Sequence, residues 1–583
     1  MNYYLFLISL FVFILNIHVS NIAIARDPNY PEASSGITPR ESFSASNFMV
    51  SAANPIAVNE GYKILESGGN AIDAAITTQL VLNLVEPQSS GIGGGAFILY
   101  WDNEQKQLYA YDGRETAPNA ATSELFTYPD GKAIARSDAM IGGKSVGVPG
   151  LISVMDLSHK NHGELPWHKL FSPAVNIAKN GFAISPRLFT LLKQSPSFSK
   201  AKVPAQYYYT ANGLPKPIGY ILKNPKLAVT YQKIAKDGVQ GFYTGKIATA
   251  IINEIKTASQ NPSNMTMDDL LNYRAKLREP VCASYRVYKI CGMPAPTSGS
   301  TAVIQIMKLL ERFDLPNMAP WSSSIIHVFI EATRLAYADR SVYMADPDFV
   351  SVPQLPLISS TYLSERSKLI DLSKRMKSVI AGSPTNKLGR PFKRGFSFEL
   401  PSTSHIVTID GKGNAVSMTS SIESAFGSHL MVEGFLLNNQ LTDFSIAPNA
   451  NDTNIANRVQ PGKRPRSSMA PIMVFDKNDN LVVALGSAGG ISIIPFVAKT
   501  LISILDWKMN AQAAISLPNI VIFRDTVILE KNTPLIKHKN SLESLGHKIV
   551  TARFPSGTHA VNIKNGLLWG GADPRREGIV MGN

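Results

Sequence analysis

The sequence predicts an α+β fold built in layers, and three observations predict it. Helical and strand patterns fall in runs that do not alternate regularly, which argues against a doubly wound parallel sheet. From Thr403 onward the pattern changes to short alternating strands broken by Gly, Asn and Asp turns. The composition, 44% hydrophobic and 17% charged over 583 residues, holds enough apolar material for a large core. No Ser/Gly/Pro-rich linker separates domains and no internal repeat recurs, so the length does not divide visibly.

Residues 1–25 read as a signal peptide. Positions 3–17 are almost wholly apolar, and Ala23-Ile24-Ala25 supplies the small-x-small pattern that signal peptidase accepts. An uncleaved anchor is the alternative, although the run is shorter than the about 20 residues of a bilayer span. The expectation is a mature protein that is periplasmic or secreted. Residues 51–85 carry helical periodicity, and EPQSSGIGGGAFILYW at 86–101 passes from a Gly-rich loop into a strand. Further helical patterns centre on 171–180, 227–237 and 325–344.

PVCASYRVYKICGMP at 280–294 reads as a hairpin turning at Arg286-Val287, which sets Cys282 opposite Cys291. An oxidising compartment would allow a disulfide there; two buried thiols fit the pattern equally well. The +14 charge comes from 57 basic and 43 acidic residues, partly concentrated in KLGRPFKR at 387–394. With no recognition motif beside it, this is a solvated basic surface with a basic loop, and nucleic acid is not an expected partner.

Several motifs fail on their context. The GKS triplet at 143–145 lacks the Gly that a phosphate loop requires at position 138, where Asp138 stands. The glycines at 91–95 precede a strand instead of opening a helix, so they are no dinucleotide fingerprint. No HExxH, paired CxxC or EF-hand loop occurs, and neither a metal nor a cofactor is expected.

The most informative stretch is TSHIVTIDGKGNAVSMTSSIESAFGS at 403–428. Residues 403–409 and 415–421 alternate, and DGKGN at 410–414 is a turn, so the segment reads as a β-hairpin. Centring the turn on Lys412 places Ser421 opposite Thr403, with Glu423 one diagonal step away on the same face. Hydroxyls exposed on a strand are commonplace and by themselves point to no chemistry.

This segment resembles the start of the small subunit of gamma-glutamyltransferases, which are N-terminal-nucleophile hydrolases. The resemblance extends through GGNAIDAA (68–75), EPQSSGIGGGAF (86–97), DGRETAP (112–118), GVPG (147–150) and PAPTSG (294–299). It continues through ADRSVYMADPDF (338–349), LLNNQLTDFS (436–445), KRPRSSMAP (463–471), GSAGG (486–490) and GGADPRREG (570–578). It implies a four-layer αββα sandwich formed by two autoprocessed subunits, residues 26–402 and 403–583, held as a heterodimer from one precursor.

The resemblance also implies roles. The chain would cut its own Ser402–Thr403 bond, making Thr403 both nucleophile and N-terminus. The freed α-amine, with an ordinary pKa of about 8, would then serve as base. Ser421 would orient Thr403, and Gly489 and Gly490 would stabilise the oxyanion through backbone N–H groups. Arg114, Ser467 and Ser468 would bind the α-carboxylate of a γ-glutamyl donor, and Asp443 with Gln440 its α-ammonium. His405 reads as structural.

Four features depart from the family. Glu423 replaces Asn, Ser421 replaces Thr while keeping its hydroxyl, Ser300 replaces Gly, and the 443–467 segment is short for a lid and lacks Tyr. The expected donors are glutathione and other γ-glutamyl compounds, and the expected acceptors water, amino acids or dipeptides. One alternative is a related acylase that removes glutaryl side chains from β-lactam nuclei; the other is a non-catalytic extracytoplasmic peptide-binding protein. Carboxylates at Asp443 and Glu423 argue against the acylase, because an uncharged donor end would leave them without a partner.

Overall fold

A computed structural model describes residues 36–583, apart from 129, 131, 386–391, 396, 398–401, 448 and 451–452. The expected leader at 1–25 and most of the basic loop at 387–394 lie outside the described residues. Two seven-stranded antiparallel sheets form the centre. Their strands are β1 (Phe43–Ala45), β2 (Met49–Ala52), β3 (Gly95–Asp102), β4 (Gln107–Gly113), β5 (Lys276–Arg278), β6 (Val281–Tyr285) and β7 (Tyr288–Gly292). The C-terminal part adds β8 (Ser404–Ile409), β9 (Ala415–Ser421), β10 (Ile472–Phe475), β11 (Leu481–Gly486), β12 (His559–Lys564), β13 (Leu567–Ala572) and β14 (Ile579–Gly582). The first sheet runs β14-β2-β8-β9-β3-β4-β5 and the second β1-β13-β12-β11-β10-β7-β6.

Helices close both outer faces, giving the expected αββα order. On the first sheet lie α1 (Pro55–Glu66) and α2 (Ala71–Val85), backed by α3 (Trp167–Asn180) and α4 (Pro225–Asp237). On the second lie α5 (Gly299–Leu310), α6 (Ser323–Tyr343) and α7 (Ile493–Leu505). The helix at 51–85 is two helices, because Asn70 caps a fresh start. Its side chain accepts from the Ile72 and Asp73 N–H groups while the Asp73 carboxylate accepts from the Asn70 N–H. Every residue of α2 is buried, its polar Asp73, Thr77, Thr78, Gln79 and Asn83 included, so the helix is enclosed on all sides and has no solvent face. None of the described helices is long and apolar enough to cross a membrane.

The hairpin at 403–421 forms in the expected register, with Ser404 opposite Ser420 and Ile409 opposite Ala415. Alternation then sorts the side chains of β8. Ile406 packs in the cluster beneath α2, whereas Val407 and Ile409 pack in the cluster shared with the second sheet. Thr403 and His405 share the odd parity and so face the second sheet. One expectation fails at the end of β9. The strand stops at Ser421, and Glu423 takes φ +77°, so a turn and not a diagonal strand step brings it beside Thr403. Cys282 pairs with Cys291 across β6 and β7, and the two form a disulfide, which settles the choice left open by the sequence.

Candidate active site

Thr403 stands where the chain enters the central strand β8, and the Ser402–Thr403 bond beside it is buried. The Thr403 hydroxyl lies 2.7 Å from the Ser402 carbonyl oxygen and 3.2 Å from Ser421 Oγ. Ser421 Oγ donates to the same carbonyl at 2.9 Å and accepts from the Glu423 N–H at 2.9 Å. Two hydroxyls thus meet at one peptide bond. Arg576 Nη1 donates to the Thr403 carbonyl at 2.8 Å and holds it from the other side. The glycine loop ahead of β3 makes this closeness possible. A Cβ on Gly94 would stand 2.2 Å from the Ser421 carbonyl oxygen, so only glycine lets the loop press on the end of β9.

A small cleft opens on Thr403. It is lined by Ser421, Glu423, Arg114, Gln440, Asp443, Ser467, Ser468 and Gly490, with Met469 and Ile493 as its apolar walls. Of the ten positions expected to hold donor or reaction, nine therefore meet in one place. Gly489 does not line the cleft. It takes φ +141° and turns the chain so that Gly490 faces the site at the start of the short 3₁₀ turn leading into α7. Of the two glycines, Gly490 is the one whose atoms border the cleft.

Arg114 is the electrostatic centre of the cleft and is 1% exposed. Its Nη2 lies 2.5 Å from Asp443 Oδ2, while Nε and Nη2 also donate to the Pro465 and Arg466 carbonyls. Gln440 Nε2 donates to Asp443 Oδ2 at 3.4 Å. Ser467 Oγ accepts from the Met469 N–H, and Ser468 Oγ accepts from Arg340 Nη2 at 2.8 Å. Glu423 Oε1 lies 3.6 Å from Arg136 Nη2. Both acidic residues of the cleft thus already face an arginine, and the partner count that argued against an uncharged donor end no longer discriminates.

His405 is fully buried, with Nδ1 2.9 Å from Thr419 Oγ1. Burial first, then the nearby His559, holds its pKa well below the ordinary value, which fits a neutral structural ring. Ser300 is buried at the start of α5 and leans toward the Pro471 carbonyl, away from the cleft residues. Three further residues were not singled out by the sequence. Arg576 lies in the GGADPRREG motif, Arg136 in an unremarkable segment, and Glu115 beside Arg114 in DGRETAP. Glu115 is fully buried, 3.7 Å from Arg114 Nη1, and neither carboxyl oxygen has a hydrogen-bond partner among the described residues. Burial outweighs Arg114 and pushes its pKa up to about 8. Among the described residues no cluster of His, Cys, Asp or Glu is arranged to hold a metal ion.

A four-layer sandwich with a threonine hydroxyl at the head of a central strand is the architecture of the N-terminal-nucleophile hydrolases. The comparisons narrow the class: residues 57–583 match the model of the gamma-glutamyltranspeptidase family. The chain belongs to that family. It is 34% identical over 545 residues to the glutathione hydrolase proenzyme of Bacillus subtilis (strain 168), covering 92% of this chain and 91% of the other. It is 31% identical over 549 residues to the acylase ACY 1 proenzyme of Pseudomonas sp. (strain SE83), covering 92% and 94%. The crystal structure of a cephalosporin acylase from Bacillus halodurans superposes with a TM-score of 0.82 at 27% identity, over 95% of this chain and 98% of that one.

Proposed function

We propose that the chain is a gamma-glutamyltransferase and glutathione hydrolase that matures by cutting its own Ser402–Thr403 bond. One observation carries this reading: the Thr403 hydroxyl shares a single cleft with the Arg114–Asp443 ion pair. In the first step Thr403 Oγ1 attacks the Ser402 carbonyl carbon, its proton passes to the departing nitrogen, and water hydrolyses the resulting ester. Ser421 Oγ, 2.9 Å from that carbonyl oxygen, supports the charge that develops there. The products are fragments 26–402 and 403–583, and Thr403 gains an α-amine able to accept its own hydroxyl proton.

In the second step Thr403 Oγ1 attacks the γ-carbonyl of the donor and expels its amine. Arg114 with Ser467 and Ser468 binds the α-carboxylate, and Asp443 with Gln440 binds the α-ammonium. An adjacent guanidinium and carboxylate match the two charges of an α-amino-acid end. Gly490, aided by the turn at Gly489, donates to the oxyanion. Water or the amine of an amino acid or dipeptide then takes the acyl group from Thr403. The apolar run at 3–17 and the Cys282–Cys291 disulfide both support removal of a leader and residence outside the cytoplasm.

Hydrolytic removal of glutaryl side chains is the second reading, favoured by the cephalosporin-acylase likeness. A denaturing gel with N-terminal sequencing, comparing the wild type with Thr403→Ala, tests the first step. Two wild-type fragments, the smaller beginning at Thr403, and one uncut mutant chain are expected; an uncut wild type would sink the proposal. Matched γ-glutamyl and glutaryl anilides then separate the donors, with the γ-glutamyl compound expected to win by at least about tenfold through its extra ammonium contact.

A further inference from the structure

The positive charge of the chain is concentrated in one stretch. Residues 165–236 contain eleven Lys and Arg and no Asp or Glu, so +11 of the chain's +14 falls within 72 of its 583 residues. Folding neutralises little of it. Arg187 is buried 3.5 Å from Glu86, and Lys233 pairs with Asp237 at 2.6 Å. Glu254 lies near enough to Lys202 to feel its charge. Lys169, Lys179, Lys193, Lys200, Lys223 and Lys226 are exposed and form no ion pair among the described residues.

Helical spacing gathers much of this charge on one face. On α3, Lys169, Ser172, Asn176 and Lys179 are exposed at steps of three and four, and on α4 Lys226, Val229, Gln232 and Lys236 follow the same steps. A groove of about 540 Å³ runs between the two stripes, with Phe171, Val175 and Ala235 in its floor and Lys179 and Lys236 on its walls. Among the described residues lining it there is no acid. At one end the Asn224 N–H donates to the Ala178 carbonyl at 2.7 Å, and residues 182–183 pair with 221–222, which sets Lys223 against the end of α3.

Beyond that end the chain doubles back in a loop bridged between Tyr209 and Pro215. Leu214, Ile218 and Ile221 are each more than half exposed there, and Tyr220 nearly half. Lys216 Nζ donates to the Tyr207 carbonyl at 2.6 Å and lies 5.1 Å over the Tyr220 ring, which ties the loop down. Water solvates lysines well but not neighbouring apolar side chains, and a soluble polyanion would leave those side chains wet. A lipid surface of negative charge takes both, with phosphates against the lysines and the apolar tip at the boundary with the acyl chains.

We propose that this face docks the protein on a membrane surface rich in anionic phospholipid, with the 214–221 tip inserted and the lysines of α3 and α4 against the headgroups. None of these residues borders the Thr403 cleft, so docking and turnover are separate readouts.

The test uses the protein without its expected leader, residues 26–583; removing 1–25 takes nothing from the described fold. It is sedimented at low salt with vesicles of phosphatidylcholine alone, or of phosphatidylcholine with an equal part of phosphatidylglycerol. The wild type is expected to bind the mixed vesicles at least about tenfold more tightly than the neutral ones, and 1 M salt, where the screening length is about 3 Å, to weaken that binding. Two variants then divide the face: Lys179→Ser/Lys223→Ser/Lys226→Ser removes charge, and Leu214→Ser/Ile218→Ser removes the apolar tip. All five side chains are exposed, and an unchanged melting temperature verifies the fold of each variant. Each is expected to bind the mixed vesicles at least about tenfold more weakly than the wild type, since one lysine near an anionic surface is worth about fivefold. Equal binding of the wild type to both vesicles, or binding to neither, overturns the proposal. So does either variant binding as the wild type does. If the tip variant alone does so, and a single-stranded oligonucleotide displaces both proteins from the vesicles equally, the face is a site for soluble polyanions instead.

Discussion

Thr403 illustrates how much chemistry depends on single atoms. Its hydroxyl, the Ser402 carbonyl and the Ser421 hydroxyl lie within 3.2 Å of one another, and this triangle follows from the hairpin register that the sequence already displays. Glu115 is different, because nothing in its local pattern marks it. Burial, outweighing the pull of Arg114, raises its pKa from the ordinary 4.5 to about 8, so the folded chain keeps a proton that the unfolded chain releases. The stability contributed is complete below the unfolded value and is lost as pH rises through the folded one. In the uncut Thr403→Ala background, unfolding free energy should therefore fall between pH 5 and 8, more steeply than in the same chain carrying Glu115→Gln. The difference is about 1.4 kcal/mol per pH unit at its steepest. Denaturant titrations at three pH values read it, and parallel slopes would show that Glu115 is already ionised.

At the scale of elements, alternation and helical periodicity were the legible signals. The turn at 410–414, the strands on either side and the bodies of α3 and α4 follow from local pattern, because each depends on contacts within a few residues, whereas α3 starts four residues ahead of its pattern, at Trp167. The end of β9 was not legible, since Glu423 leaves the strand through a positive φ that alternation does not encode. The loop at 91–95 was recognised as glycine-rich, but its reason is tertiary: it abuts the carbonyls of other segments. Gly94→Ala should push the end of β9 aside, costing about 1–3 kcal/mol and slowing self-cleavage more than tenfold, because Ser421 no longer meets the Ser402 carbonyl squarely. The uncut fraction of freshly purified protein, followed over time, reports this. Cleavage at the wild-type rate would mean that the loop yields instead of the strand.

For the whole molecule, the two expected fragments are interleaved. In the first sheet β8 and β9 sit between β2 and β3, and β14 forms the far edge, so strands from both sides of residue 403 alternate. In the second sheet β10–β13 lie between β1 and β7. Cutting one peptide bond releases none of these ladders. The cleaved fragments are expected to co-elute in size-exclusion chromatography and to separate only in denaturant; separate native peaks would contradict the interleaving. Sequence alone determined what neighbours decide: the layered class, the hairpin register, the facing of Cys282 and Cys291, and, through the family resemblance, nine of the cleft's residues. Only the tertiary structure decided which charges meet. Arg114 and Asp443 are 329 residues apart, and Glu423 meets Arg136 from a segment that carries no motif. The protonation of Glu115 belongs with them. Periodicity reports contacts a turn or a strand pair away, whereas burial and Coulomb fields act through space and exist only once the chain has closed on itself.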